Sequence, residues 1–221
     1  MPRGHPNDAN EVYLEVGSKR VFASAAHWPG WSRSGKTEEQ ALGALEAYGP
    51  RYGAVALAAG VLFPGEPRTF EVVERLRGTA TTEFGAPGEP ARREFAPLSA
   101  EEAGRLADLL AGAWAVLDSV VAGAPAELRK GPRGGGRDRD TIFQHVVSAE
   151  VTYARKLGVR APEPAPGDRD AVDEVRRRVL DEVREARGRS GGEGQAWAPR
   201  YAVRRMAWHV TDHAWEIEDR S

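Results

Sequence analysis

Cysteine is absent from the 221 residues of this chain. The chain therefore forms no disulfide, offers no thiolate to a metal and has no cysteine nucleophile, and nothing in it requires an oxidising compartment. No charge sign dominates either, because 31 Lys and Arg residues stand against 33 Asp and Glu residues. This balance gives no general electrostatic reason to bind nucleic acid or an anionic membrane.

Long apolar runs are also missing. No stretch of about 18 consecutive apolar residues occurs, and the first ten residues are polar, without the apolar segment of a signal peptide. Hydrophobic residues make up 41% of the chain and charged residues 29%, which is ordinary for a globular protein. We expect a flexible N-terminus over residues 1–10 and a cytoplasmic protein without membrane contact.

Residues 11–90 mix strand and helix patterns. Apolar and polar residues alternate in two short runs between residues 11 and 25, separated by a Gly17–Ser18 turn. Thr37 and Gln40 form a capping box that begins a helix, and residues 69–76 predict another strand. The pattern therefore predicts a small α/β unit.

The pattern becomes helical beyond the proline-rich residues 85–97. Four amphipathic helices joined by polar loops are predicted, so residues 98–221 are expected to form an up-down four-helix bundle in an α+β chain. The expected caps and breaks of these helices are Ser99 with Glu102, Asp138 or Asp140, Gly158, Asp168 and Pro199. Arg176 to Arg178 are expected on a solvated face of the third helix.

Two of the five histidines, His209 and His213, stand four residues apart in the last predicted helix. At about 100° and 1.5 Å per residue, both imidazoles project from one face about 6 Å apart along the axis, a spacing that one metal ion can use. Asp212 and Glu216 flank that face and are candidates to orient the rings through hydrogen bonds. Two partly buried histidines with ordinary hydrogen bonds are the alternative interpretation.

A third candidate ligand is His145, which stands among apolar residues of the second predicted helix. Facing helices of a bundle can assemble metal sites, so His145 is expected to join the pair if helices two and four are neighbours. Three imidazoles leave a coordination position open on zinc, nickel or iron, which is the form of a catalytic site. A histidine satisfied within the core is the competing interpretation.

These residues carry a resemblance to a known family. Residues 99–218 resemble the DinB/YfiT-like superfamily of four-helix metalloproteins, with one histidine in Ile142–His145 and the pair within Trp208–Glu216. The resemblance implies that His145, His209 and His213 bind a divalent metal. It also implies a thiol-dependent transferase or isomerase with a low-molecular-weight thiol such as mycothiol as cosubstrate, or an amide hydrolase.

The segment Trp28–Leu42 is similar to a region of HicB-type domains, where a Pro-Gly loop and a short strand lead into a capped helix. This similarity implies a partial ribonuclease-H fold for residues 11–90. Many HicB-type domains are antitoxins, but the sequence has no recognisable DNA-binding appendage beside the segment. Trp28 and Trp31 are expected to pack in the interior, and a place in the substrate pocket is the alternative.

The leading hypothesis is a metal-dependent enzyme that acts on a small-molecule substrate at the three histidines. Arg205, one helical turn before His209, is a further candidate to bind an anionic group. The alternatives are a non-catalytic binding or sensing protein with a degenerate bundle, and a HicB-type regulator of a toxin or a nucleic acid. The sequence identifies no catalytic residue, and a homodimer remains open.

Overall fold

The computed structural model describes residues 10–64, 69–131, 135–189 and 197–221. A mixed four-stranded sheet with short helices is followed by four long helices, so the chain is α+β as predicted. The strands are β1 (Glu11–Val16), β2 (Val21–Ala25), β3 (Ser32–Gly35) and β4 (Glu71–Arg77). The helices are α1 (Glu38–Ala47), α2 (Gly49–Ala58), α3 (Ala80–Phe84), α4 (Ala100–Gly123), α5 (Arg139–Leu157), α6 (Arg169–Glu185) and α7 (Pro199–Arg220). The N-terminus predicted to be flexible lies outside the described residues, except for Asn10.

The sheet has the strand order β3-β2-β1-β4. Strand β2 is antiparallel to both of its neighbours, whereas β4 runs parallel to β1. The two strands expected between residues 11 and 25 are confirmed, and β4 matches the strand expected at residues 69–76 to within two residues. Strand β3 has no apolar alternation in its sequence Ser-Arg-Ser-Gly, and only the resemblance of Trp28–Leu42 to HicB-type domains implied a short strand there.

Helix α1 packs on β2 and β3, whereas α2 packs on α4. Thr37 caps α1, where its hydroxyl accepts the backbone N–H of Gln40 at 3.2 Å. Gly49 and Pro50 end α1 as expected, but they also begin α2, where proline fits the first turn of a helix. Helix α2 packs closely on α4, since a Cβ added at Gly112 would lie only 2.5 Å from the carbonyl oxygen of Val55.

The ends of the long helices follow the local signals in the sequence. Ser99 and Glu102 form the capping box of α4, and Gly158 ends α5 with a φ of 96°. Asp168 caps α6 through the backbone N–H of Ala171, and Pro199 lies in the first turn of α7. These helix boundaries are confirmed.

The prediction that Arg176 to Arg178 lie on a solvated face is wrong for Arg176. Its guanidinium is buried, and it binds both carboxylate oxygens of Glu150 on α5 at 3.1 Å and Asp118 on α4 at 3.0 Å. Arg176 follows Val175 directly, so it stands at the edge of the apolar stripe of α6, where a carboxylate partner can bury its charge. Arg177 is exposed as expected.

Helix α5 has α6 and α7 as its packed neighbours, and α4 packs against the same two helices. Helices α5 and α7 run antiparallel, because His145 lies beside His213 while the later Tyr153 lies beside His209. Consecutive α4 and α5 make little contact, although the simplest up-down order would place them side by side.

One buried apolar cluster includes residues from the sheet, from α1 and α2 and from the long helices. The loop before β3 contributes directly, because Gly30 lies against Ala207 and its carbonyl oxygen accepts the Thr211 hydroxyl at 2.9 Å. Helix α4 is long and apolar enough, by length and composition alone, to cross a membrane. Its contacts with α2, α6 and α7 account for that apolar character within the fold.

Candidate metal centre

Helices α5 and α7 bring three histidines together. His145, His209 and His213 each offer a ring nitrogen, and these three atoms lie within 4.8 Å of one another. His209 and His213 come from successive turns of α7, while His145 comes from the neighbouring α5. His145 is exposed and the other two rings are buried, so the cluster lies in the groove between the helices with one side open to solvent.

The closest pair of nitrogens has a separation that suits a metal ion. The Nε2 atoms of His145 and His209 are 3.2 Å apart. Two nitrogens that bind one tetrahedral zinc ion at about 2.0–2.1 Å are separated by about 3.3 Å. Two neutral rings that share one hydrogen bond show a similar distance.

The buried position of the cluster favours neutral imidazoles. Burial is the largest cause that lowers the pKa of His209 to about 2, and the neighbouring His213, His145, Arg205 and Arg137 contribute to the same shift. The pKa of His145 is also lowered, first by burial and then by His213 and Arg137, with Glu216 opposing. A metal binds the neutral ring, so the environment maintains the form that a ligand needs.

Glu216 orients one of the three rings. Its Oε2 atom lies 2.8 Å from Nδ1 of His213, which leaves Nε2 of that ring for a ligand. The other carboxylate oxygen accepts Arg220 at 2.8 Å, and Arg137 lies 3.5 Å from Oε2. The hydrogen bond with His213 is the largest cause that lowers the pKa of Glu216, so the carboxylate is charged at neutral pH. Glu216 therefore takes the position expected of an orienting carboxylate.

Asp212 faces the sheet rather than the histidines. Its Oδ1 atom accepts Arg33 of β3 at 2.9 Å, and the Arg33 guanidinium stacks on Tyr48 and Trp215. Burial raises the pKa of Asp212, while Arg33 and His213 oppose this shift. The structure thus gives Asp212 a partner other than an imidazole and brings only Glu216, of the two candidate carboxylates, into a hydrogen bond with a ring.

Arg205 lies next to the cluster, among aromatic rings. Its guanidinium carbon is 5.0 Å from the Trp208 ring centre and 5.8 Å from that of Tyr153. The Tyr153 ring in turn meets His209 edge to face at 5.8 Å. The position of Arg205 one turn before His209 therefore places it on the histidine side of α7, as the spacing predicted.

Trp28 and Trp31 are buried in the sheet region and are not brought to the histidines. The indole N–H of Trp31 donates to the Leu45 carbonyl at 2.8 Å, and both indoles pack on Tyr52. Their loop meets α7 at Ala207, two residues from His209, which corresponds to roughly 200° around the helix. This placement agrees with the expectation that Trp28 and Trp31 pack in the interior rather than line a substrate pocket.

The structure adds Tyr153 and Arg137 as neighbours of the site. Tyr153 stands about two helical turns beyond His145 on α5, and this spacing is a signal that the sequence contained. Arg137 belongs to the loop before α5, and its approach to Glu216 depends on the path of that loop. Sequence spacing along helices gives no information about such a loop residue.

No family model matches this chain, and neither does any curated protein or solved structure.

Proposed function

We propose that the protein is a metal-dependent enzyme whose divalent ion is held by His145, His209 and His213. The observation that carries this proposal is the convergence of three imidazoles from α5 and α7 beside solvent. Among the described residues, no cysteine, aspartate or glutamate adds a fourth ligand to this group. A site with three protein ligands keeps a position for substrate, which is typical of catalytic centres.

The residues of the chain have distinct parts in this proposal. The buried His209 and the exposed His145 supply neutral nitrogens, and Glu216 fixes the ring of His213 with Nε2 directed away from the carboxylate. When bound, zinc, nickel or iron supplies Lewis acidity that favours the deprotonated form of a thiol or of water. A small substrate would approach the metal from the exposed side of His145.

The resemblance to DinB/YfiT-like metalloproteins extends the proposal to the reaction. We infer a transferase that uses a low-molecular-weight thiol such as mycothiol, or a hydrolase that uses water at the same position. Two features support the bundle type: the three histidines occur in the second and fourth long helices, and these two helices pack together. The HicB-like character of residues 11–90 remains part of the proposal and assigns no separate activity.

The test is turnover by the metal-loaded protein. The protein is loaded in turn with zinc, nickel and iron(II), and each form is assayed for mycothiol conjugation to chlorodinitrobenzene and for hydrolysis of a chromogenic anilide. We expect activity that falls to background in His213→Ala and persists in His27→Ala, because His27 lies outside the cluster. Activity that needs the thiol indicates a transferase, and activity without it indicates a hydrolase. Activity retained in His213→Ala would refute the proposed site.

A further inference from the structure

Arg205 is buried, and it has no carboxylate partner among the residues that the structure describes. The residue is only 7% exposed. The Nη1 atom donates to the carbonyl oxygen of Pro87 at 3.0 Å, while the buried Nε atom has no hydrogen-bond partner. None of the ion pairs formed among the described residues includes Arg205.

The other buried arginines show how this fold normally neutralises such a group. The adjacent Arg204 binds the Glu94 carboxylate at 2.6 Å and also donates to two backbone carbonyls. Arg176 is paired with Glu150 and Asp118. A buried charge without a counterion is costly, because a carbonyl dipole replaces only part of the lost hydration. Arg205 is thus the exception among three arginines with similar burial.

The surroundings of Arg205 fit a ligand. Arg205 and His209 lie one turn apart on α7, which separates their backbone positions by about 6 Å along the helix axis. The Tyr153 ring lies near both the guanidinium and the His209 ring, and the Trp208 ring also lies beside the guanidinium. Aromatic walls exclude water, so an anion that reaches Arg205 meets a strong and directional donor.

We propose that Arg205 binds the carboxylate of an anionic substrate or cosubstrate whose other end occupies the metal position at the three histidines. This inference rests on the proposed function and adds the substrate class to it. A planar guanidinium can donate several N–H groups to one carboxylate, and the buried Nε of Arg205 has no partner among the described residues. The ligand is therefore a bifunctional compound, with a metal-binding group at one end and a carboxylate at the other.

The experiment compares thiols that differ only in charge. Zinc-loaded full-length protein is titrated calorimetrically with mercaptoacetate, 3-mercaptopropionate and 4-mercaptobutyrate, each beside the uncharged mercapto-alcohol with the same number of carbons. We expect at least one carboxylate to bind about tenfold to a hundredfold more tightly than its alcohol, which is the effect of one charged hydrogen-bonding pair. The best chain length then reports the distance between the two subsites.

Variants separate a binding role from a structural one. Arg205→Gln should lose the preference for the carboxylate while it keeps its zinc and its affinity for the alcohol, and Arg205→Lys should retain part of the preference. Arg200→Gln is the control on the same helix, because Arg200 already pairs with Glu102. Equal binding of every thiol and its alcohol, or an unchanged preference in Arg205→Gln, would overturn the inference and leave the metal site standing. Failure to take up zinc would instead overturn the proposed function, and this inference with it.

Discussion

Acid should destabilise the metal-free protein through His209. Burial holds the pKa of this ring at about 2 in the folded protein, against an ordinary value of about 6.5 in the unfolded chain. The unfolded chain therefore takes up a proton first as the pH falls. The contribution of the neutral ring to stability is complete above about pH 6.5 and is lost progressively below it.

The size of this effect follows from the two pKa values. Each pH unit below about 6.5 costs about 1.4 kcal/mol, because the folded ring remains neutral while the unfolded ring is charged. Between pH 7.5 and 5.5, His209 alone should remove about 1.4 kcal/mol of unfolding free energy, and at pH 4.5 about 2.7 kcal/mol. The result does not depend on the folded pKa provided that this value lies well below 4.5.

Urea denaturation in the presence of a chelator measures this loss. The unfolding free energies of the wild-type protein and of His209→Gln are compared at pH 7.5 and 5.5. Glutamine does not titrate, and the carboxylates with raised pKa values, Asp212 and Glu150, are present in both proteins. We expect the wild-type protein to lose about 1.4 kcal/mol more than the variant. The same pH dependence in both proteins would refute the argument that His209 is buried and neutral.

Three further predictions concern packing and the site. Gly112→Ala should destabilise the fold by about 2 kcal/mol in urea titrations, because its Cβ would strike α2, whereas Gly104→Ala on the same helix should stabilise it by about 0.5–1 kcal/mol. Arg176→Met should cost about 3–5 kcal/mol in the same assay, since it leaves a buried carboxylate unpaired. Glu216→Gln should weaken zinc binding about tenfold to a hundredfold in competition titrations with a chromophoric chelator, because His213 loses its orienting carboxylate.

Each of these predictions has a result that contradicts it. Equal stabilities of the two glycine variants would mean that α2 and α4 do not approach as closely as described. A loss below 1 kcal/mol in Arg176→Met would be the size of an exposed ion pair and would contradict its burial. For Glu216→Gln the matched control is Glu218→Gln, since Glu218 is exposed and pairs with Arg51. An equal effect of both substitutions on zinc affinity would remove the orienting role.

The sequence predicted the features that depend on neighbouring residues. Ser99, Asp168 and Pro199 mark helix ends because capping involves groups within one turn of each other. Strand β3 has no such local signal, since its position depends on pairing with β2. Arg176 likewise was assigned to solvent because its partners come from two other helices.

The candidate site also has features that local sequence spacing predicts and features that depend on the tertiary fold. The i, i+4 spacing of His209 and His213 is fixed within one helix, so their common face could be derived from sequence. Whether His145 joins this pair depends on which helices are neighbours. The sequence analysis expected contact between the second and fourth long helices, and these helices, α5 and α7, do pack together. The sequence could not show that Arg205 has no carboxylate partner among the described residues, because this depends on which groups surround a buried side chain in three dimensions.

Elemental analysis of the untagged protein tests the central claim most directly. The wild-type protein and His145→Ala are purified in parallel, and the content of zinc, nickel and iron is measured per chain. We predict about one divalent ion per wild-type chain and its loss in the variant, since α7 alone supplies only two of the three ligands. Absence of metal from the wild-type protein, together with no thermal stabilisation when these ions are added, would contradict the account. Full metal occupancy in His145→Ala would contradict it equally.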